Sequence, residues 1–354
     1  MLASTNIVSF PRQGIFLREQ SLGHMQPPDF LHRDAETALC EHFVAAGALC
    51  SLSTNSEQIL DAARSAFLAA SSESVPVDFR LRFWVDSTDA SRPPWPKPYV
   101  RGLDNLVFIG LDARSSMLAD LRTRRVIGRI SPGLAADSQY WRTIIFPILL
   151  SVVAGSIGLV ELHASCVASG QEGLVLVGPS RSGKSTLAMA LMESGFRLLS
   201  DDRTFLSIKD GQLRAFGLSR PLKLREDAAS WFEELCDREP TDLQGGENVF
   251  YCEPKHRSRS EALLPCEPRG VVFLEREERS VVRLTPMDPG EAQRRMEADV
   301  MAETSDVMAA QQRALDALLA LPCWRLQYAG GRPQEIAERI LNSFYGKTRT
   351  LLGA

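Results

Sequence analysis

Eight consecutive residues, Gly178-Pro179-Ser180-Arg181-Ser182-Gly183-Lys184-Ser185, satisfy the pattern G-x-x-x-x-G-K-[ST], and Thr186 follows them. Glycines in such a string let backbone N–H groups curl around phosphate oxygens, and the start of the next helix adds positive potential. Lys184 is spaced to reach the β- and γ-phosphates, and the Ser185 hydroxyl to ligate Mg²⁺. A Gly/Ser turn can match the pattern by accident, but the flanks argue against that here. Residues 174–177, Leu-Val-Leu-Val, read as a buried strand, and residues 186–194 as a helix.

Two adjacent carboxylates, Asp201 and Asp202, come next in importance. They follow the apolar stretch 196–200, so strand, helix and strand occur in order around the loop. Strands of the same sense bring their carboxyl ends to one edge of a sheet, where ligands bind. Connectivity alone therefore predicts that the aspartates arrive beside the phosphate loop. Phosphoryl transfer needs a metal to balance phosphate charge and a carboxylate to orient or deprotonate the acceptor, and two carboxylates can divide these tasks. Either one could instead cap the following turn.

His163 lies in a short apolar segment, 162–168, that reads as one strand of a hairpin with 173–177, turning through 169–172. If Ala168 faces Gly173, His163 lies opposite Gly178, at the mouth of the loop. A histidine in an apolar strand is otherwise an ordinary core residue. Arg220 and Lys223 lie on a strand-like segment and are candidates for neutralising phosphate charge; solvated surface positions are the alternative. The cluster Lys255-His256-Arg257-Ser258-Arg259 sits in a polar stretch, 237–268, which reads as a long loop.

The remaining elements follow from periodicity. Residues 37–48 and 57–70 have helical apolar spacing, residues 77–85 alternate as a strand, and 107–109 and 126–130 suggest further strands. Residues 91–98 form a proline-rich connector. Residues 203–208 and 212–216 flank Lys209-Asp210-Gly211, a tight-hairpin signal. An acidic helix is expected near 227–235, and a strand pair at 271–274 and 281–284. Asp288-Pro289 should cap a helix running to about 320, followed by a strand at 324–328 and an amphipathic helix at 333–344. The α/β order suggests a smaller α/β domain at 1–142, a phosphate-loop kinase domain at 143–346 and a tail at 347–354.

Composition sets the outer limits. The 354 residues allow about two domains. A net charge of −4 gives no reason to expect a nucleic-acid partner. The seven cysteines are irregularly spaced and include no C-x-x-C pair, which reads as reduced thiols in a cytoplasmic protein. Residues 143–160 carry no charge and approach membrane-spanning length. Proline, serine and glycine interrupt them, and they run straight into the strand before the loop, so a buried helix and no membrane partner are expected.

Three motifs in order, Leu162-His163-Ala164, the loop 178–185 and Gly195-Phe196-Arg197-Leu198-Leu199-Ser200-Asp201-Asp202, resemble the HPr kinase/phosphorylase family, and more closely its shorter relatives. The late Leu326-Gln327-Tyr328 strand resembles the ending of these domains. The resemblance covers roughly residues 145–345 and implies a kinase fold of the HPr kinase/PEP carboxykinase-like type. It implies ATP- and Mg²⁺-dependent phosphorylation of a serine on a peptide or small protein. By position, Asp201 would be the acceptor base, Asp202 a metal-side partner with Ser185, and His163 an accessory of the catalytic network. The family's glutamate-bearing, glycine-rich motif after the aspartates is absent, since Phe216-Gly217-Leu218-Ser219-Arg220-Pro221 stands there. That departure speaks against HPr itself as substrate and against phosphorolysis. A nucleotide-binding regulator without transfer and a small-molecule kinase are the alternatives. Self-association and the choice of ATP over GTP are left open.

Overall fold

The structure, a computed structural model, describes residues 36–70, 76–86, 92–218, 220–236, 239–243, 247–253, 263–278, 282–297 and 305–345. The chain divides into two units, Met1–Ala35 and Glu36–Ala354. The first unit, the basic cluster 255–259 and the tail 347–354 lie outside the described residues.

The first half builds one eight-stranded sheet from β1 (Leu39–Ala45), β2 (Ala48–Thr54), β3 (Leu68–Ala69), β4 (Phe79–Val85), β5 (Tyr99–Leu103), β6 (Leu106–Gly110), β7 (Ser116–Asp120) and β8 (Arg125–Ile130), in the order β3-β1-β2-β4-β8-β7-β6-β5. Residues 37–48 thus do not form the expected helix. They form β1, a turn at Ala46 and Gly47 (both at positive φ) and the start of β2. Phe43 and Ala45 point into the core while their neighbours are partly exposed, a period of two that sheet pairing enforces over a short ambiguous apolar run. The 57–70 helix shortens to Glu57–Ala66 because Leu68 and Ala69 leave it to pair with β1.

The inner sheet face, including Phe43, Leu52, Leu81, Phe83 and Ile130, is buried under helices. One is Glu57–Ala66; the other runs from Ser138 to Ile157 through α, π and 3₁₀ turns. This second helix is long and apolar enough to cross a membrane, yet Trp141, Phe146, Leu149, Leu150 and Val153 lie inside the core. Its Trp141 ring sits 5.4 Å from Phe83, and its Phe146 ring 4.7 Å from Phe67. The buried helix expected at 143–160 is therefore present, starting at Ser138.

The second half contains β9 (Val160–Leu162), β10 (Ala164–Ser169), β11 (Glu172–Val177), β12 (Arg197–Ser200), β13 (Thr204–Lys209), β14 (Gln212–Phe216), β15 (Leu222–Arg225), β16 (Thr241–Leu243), β17 (Glu247–Cys252), β18 (Glu267–Arg276), β19 (Arg283–Pro286) and β20 (Cys323–Tyr328). The central sheet has the order β12-β10-β11-β18-β20-β19. Three expectations change here. The strand expected at 162–168 breaks at His163, so that β9 pairs with β13 while β10 pairs with β11 and β12. The stretch 237–268 is not one loop, since β16 and β17 form a small sheet with β15. The strands near 271 and 283 do not pair with each other, because β20 inserts between β18 and β19.

The 288–320 helix is two helices, Pro289–Glu297 and Ser305–Leu319, with residues 298–304 outside the described set. Its expected cap is present: Asp288 Oδ1 accepts from the Glu291 N–H at 3.0 Å. The acidic segment near 227–235 forms a 3₁₀ turn, Glu226–Trp231, and a short helix, Glu233–Cys236.

Gly217 fixes how β14 lies against β12. A Cβ added there would meet the Leu199 carbonyl oxygen at 1.6 Å and its carbon at 2.5 Å. Backbone cannot yield as a flexible side chain can. Gly217→Ala is expected to lower stability by about 3 kcal/mol or more, read as a drop in the urea midpoint at unchanged slope. A midpoint within error of wild type would show that the two strands separate at little cost.

Candidate functional site

The phosphate loop leaves β11 at its carboxyl end and enters the helix Lys184–Glu193. That helix, one residue pair earlier than the expected 186–194, ends at Ser194, with Gly195 at φ +90. Because β10 is antiparallel to both β11 and β12, those two share one sense, and Asp201 reaches the same sheet edge as the loop. The expected crossover thus holds, with β10 lying between its two strands. The hairpin register is as read from sequence, with Ala168 opposite Gly173 and Ala164 opposite Val177, so His163 stands beside Gly178.

Within the loop, Arg181 and Gly183 adopt positive φ, +67 and +95. A Cβ on Gly183 would also meet the Tyr328 hydroxyl at 2.3 Å. That hydroxyl donates to the Ser182 carbonyl and ties the loop to β20. Gly183 caps the helix with no side-chain hydrogen bond, and the helix start adds positive potential at the loop. Lys184 is 5% exposed; its Nζ donates to the carbonyls of Gly178 (2.7 Å) and Pro179 (3.3 Å) and lies 3.3 Å from His163 Nε2.

Asp201 and Asp202 separate in environment. Asp201 is 7% exposed, and its Oδ1 accepts from Ser185 Oγ at 2.9 Å and Ser165 Oγ at 3.0 Å. Among the described residues its Oδ2 has one long partner, the Lys223 N–H at 3.3 Å. Burial, followed by the charge of Asp202, pushes the Asp201 carboxyl up to about 6, against the opposing bonds from Ser185, Lys223 and Ser165. Asp202, at φ +66, faces outward and lines the cleft over the loop.

That cleft has a volume of about 400 Å³ and is walled by Arg181, Lys184, Lys223, Arg225 and Arg276 against only Asp202 and Asp227 among its charged residues. Ser180, Ser185 and Thr186 supply hydroxyls. A hollow with this surplus of cations suits a polyphosphate. The Ser182 hydroxyl is buried without a hydrogen-bond partner and packs against Gly178 rather than lining the cleft. Among the described residues no cluster of three or more His, Cys, Asp or Glu side chains could hold a metal by itself. Ser185 and Asp202 on the cleft wall instead match Mg²⁺, which takes one or two protein oxygens and completes its shell with phosphate and water.

Arg220 does not line the cleft. It is largely buried near Arg203, Asp201, Asp202 and Tyr251, where burial and then the Arg203 charge lower its pKa; its Nε has no hydrogen-bond partner. Lys223, for which the sequence left a solvated surface position as the alternative, lines the cleft. The sequence reading missed Arg225, Arg276, Ser165 and Tyr328. Arg276 ends β18, which runs parallel to β11, so a longer strand there would have placed it at the loop edge. Tyr328 carried no local signal. A cavity of similar size, about 420 Å³, lies at the far end of the central sheet around Arg197, Arg214 and Cys266 and includes neither a residue of the phosphate loop nor Asp201 or Asp202. Cys40, Cys50, Cys166, Cys266 and Cys323 are free thiols.

Removing the tether from β20 should be visible. Tyr328→Phe is expected to cost about 1 kcal/mol of stability and to weaken nucleotide binding several-fold. Thermal unfolding and titration with a fluorescent nucleotide would read both; an unchanged affinity would mean the loop holds its shape without Tyr328.

No family model and no curated protein matches this chain. Among solved structures, the Hpr(Ser) kinase/phosphatase from Coxiella burnetii is similar over 52% of this chain and 95% of that chain, at 14% identity and a TM-score of 0.26. The chain is a mixed α/β protein with that kinase/phosphatase among its structural neighbours.

Proposed function

We propose that this protein is an ATP- and Mg²⁺-dependent kinase that transfers the γ-phosphate to a serine or threonine hydroxyl of a peptide or small protein. The observation that carries the reading is the Ser185–Asp201 hydrogen bond of 2.9 Å at the edge of a cleft dominated by cations. It joins the hydroxyl that ligates Mg²⁺ in phosphate loops to a carboxylate of the kind that handles the acceptor proton. Residues 143–346 would be the kinase domain of the HPr kinase/PEP carboxykinase-like type. Residues 1–142 would be an α/β domain contributing to substrate choice. The irregular cysteine spacing, with no C-x-x-C pair, supports a cytoplasmic location.

Mg²⁺-ATP, when bound, supplies the phosphoryl group and neutralises part of its charge. The residues of the chain do the rest. The loop backbone and Lys184 would hold the phosphates, and Arg181, Lys223, Arg225 and Arg276 line the same cleft and would spread positive charge around them. Ser185 and Asp202 would hold the metal. Asp201 Oδ2, with its single long bond, retains a lone pair for the acceptor hydroxyl, and a carboxyl near pKa 6 is a more effective base than an ordinary aspartate. His163 fixes the Lys184 ammonium from the other side.

One observation favours the regulator instead: Asp201 is nearly buried and its Oδ1 already has two donors. The deciding experiment is transfer of labelled γ-phosphate with Mg²⁺ to small proteins and peptides encoded beside this one. Label on serine or threonine, lost in Lys184→Ala and Asp201→Asn, supports the kinase. Tight nucleotide binding without transfer to any polypeptide or metabolite supports the regulator, and a labelled metabolite alone supports the small-molecule kinase.

A further inference from the structure

The eight-stranded sheet ends at β5, which has β6 as its neighbour on one side and, among the described residues, none on the other. All five β5 residues are exposed. Such an edge presents unpaired N–H and C=O groups, a template for another strand. Its side chains alternate, and the register sorts them. Tyr99, Arg101 and Leu103 share a face with Gly110, Phe108 and Leu106 of β6, their cross-strand partners. This is the outer face, because Val100 pairs with buried Ile109 on the other. Tyr99, Leu103, Leu106 and Phe108 are 56%, 80%, 42% and 45% exposed, which concentrates large apolar side chains at one end of this face.

Charge on the same face is mostly positive. The register carries it from Leu106 to Asp120, Arg125 and Arg80, so these exposed arginines stand in one row with Leu103. Asp120 in that row already accepts from Asn105 and Thr123. The chain as a whole carries −4, so this face departs from its average.

Charge also selects the occupant. A second copy pairing β5 with β5 in the antiparallel register centred on the strand sets Arg101 against Arg101, which is unfavourable for directly opposed residues. A strand with a carboxylate at that position and apolar side chains two residues to either side satisfies Arg101, Tyr99 and Leu103 together. We propose that β5 binds an extended acidic polypeptide segment as an added strand, its carboxylate opposite Arg101 and its apolar side chains over Tyr99 and Leu103. This surface shares no residue with the phosphate cleft, so it stands or falls separately from the kinase reading.

The test uses the full chain and a fluorescein-labelled seven-residue peptide. A glutamate at its centre is flanked, two positions away on each side, by leucine and phenylalanine, with threonine elsewhere. A second peptide carries lysine for the glutamate. Anisotropy should show saturable binding of the first peptide that weakens with salt, a roughly tenfold loss in Arg101→Glu, and recovery when that variant meets the lysine peptide. Recovery also shows that the variant is folded. Three results overturn the proposal: no saturable binding up to about 1 mM peptide, equal binding of both peptides to both proteins, or a wild-type dimer in light scattering that Leu103→Asp dissociates.

Discussion

Lys184→Ala is expected to abolish measurable phosphoryl transfer, a loss of at least about 10²–10³-fold. Two effects combine. The ammonium is the buried cation in the cleft, 5% exposed and aimed at the loop it serves, so no water replaces it as a counter-charge for β- and γ-phosphates. It also bonds the carbonyls of Gly178 and Pro179, and its loss releases the start of the loop. Nucleotide affinity should fall along with turnover, which a titration of the variant with a fluorescent ATP analogue would show. Wild-type transfer in a folded Lys184→Ala protein would remove the phosphate loop from the mechanism.

Asp201→Asn should separate binding from transfer. The side chain keeps its shape, and the cleft's cations are untouched, so nucleotide affinity is expected to stay within a few-fold of wild type. Transfer should fall by about 10²–10⁴-fold, the usual range for a lost general base. A binding switch would show neither loss, and equal loss of affinity and turnover would mean that Asp201 shapes the loop through Ser185 rather than handling a proton.

The same substitution has a consequence for the metal-free protein. Burial raises the Asp201 pKa from 3.8 to about 6, so between these values the folded state binds a proton more tightly than the unfolded chain. This contribution favours folding fully below about pH 4 and is lost as pH rises through about 6. The two values correspond to on the order of 3 kcal/mol. Wild type in EDTA should therefore lose stability across that window, and Asp201→Asn should flatten that part of the profile. Urea midpoints measured from pH 4 to 7 would settle it; identical slopes in both proteins would mean that Asp201 is charged and satisfied at low pH.

Some of this was readable in advance, for a common reason. The loop, the helix after it, the β10–β11 register and the Asp210-Gly211 turn are set by residues close in sequence. Asp210 and Gly211 indeed both take positive φ, +53 and +75, as a tight hairpin between β13 and β14 requires. Even the arrival of Asp201 at the loop edge needed only strand sense, which survived the insertion of β10. Residues 37–48 were misread because a short apolar run fits both periods, and only pairing with β2 decides between them.

By itself, then, the sequence determined the phosphate loop and the chemistry it can support, because G-x-x-x-x-G-K-S constrains backbone and side chain within one turn. Tertiary structure decided which groups surround that loop. The Ser185–Asp201 bond, the Tyr328 tether, Arg276 at the end of β18 and the placement of Arg220 behind the cleft all join segments far apart in the chain. Long-range strand order selects such neighbours, and no local periodicity encodes it.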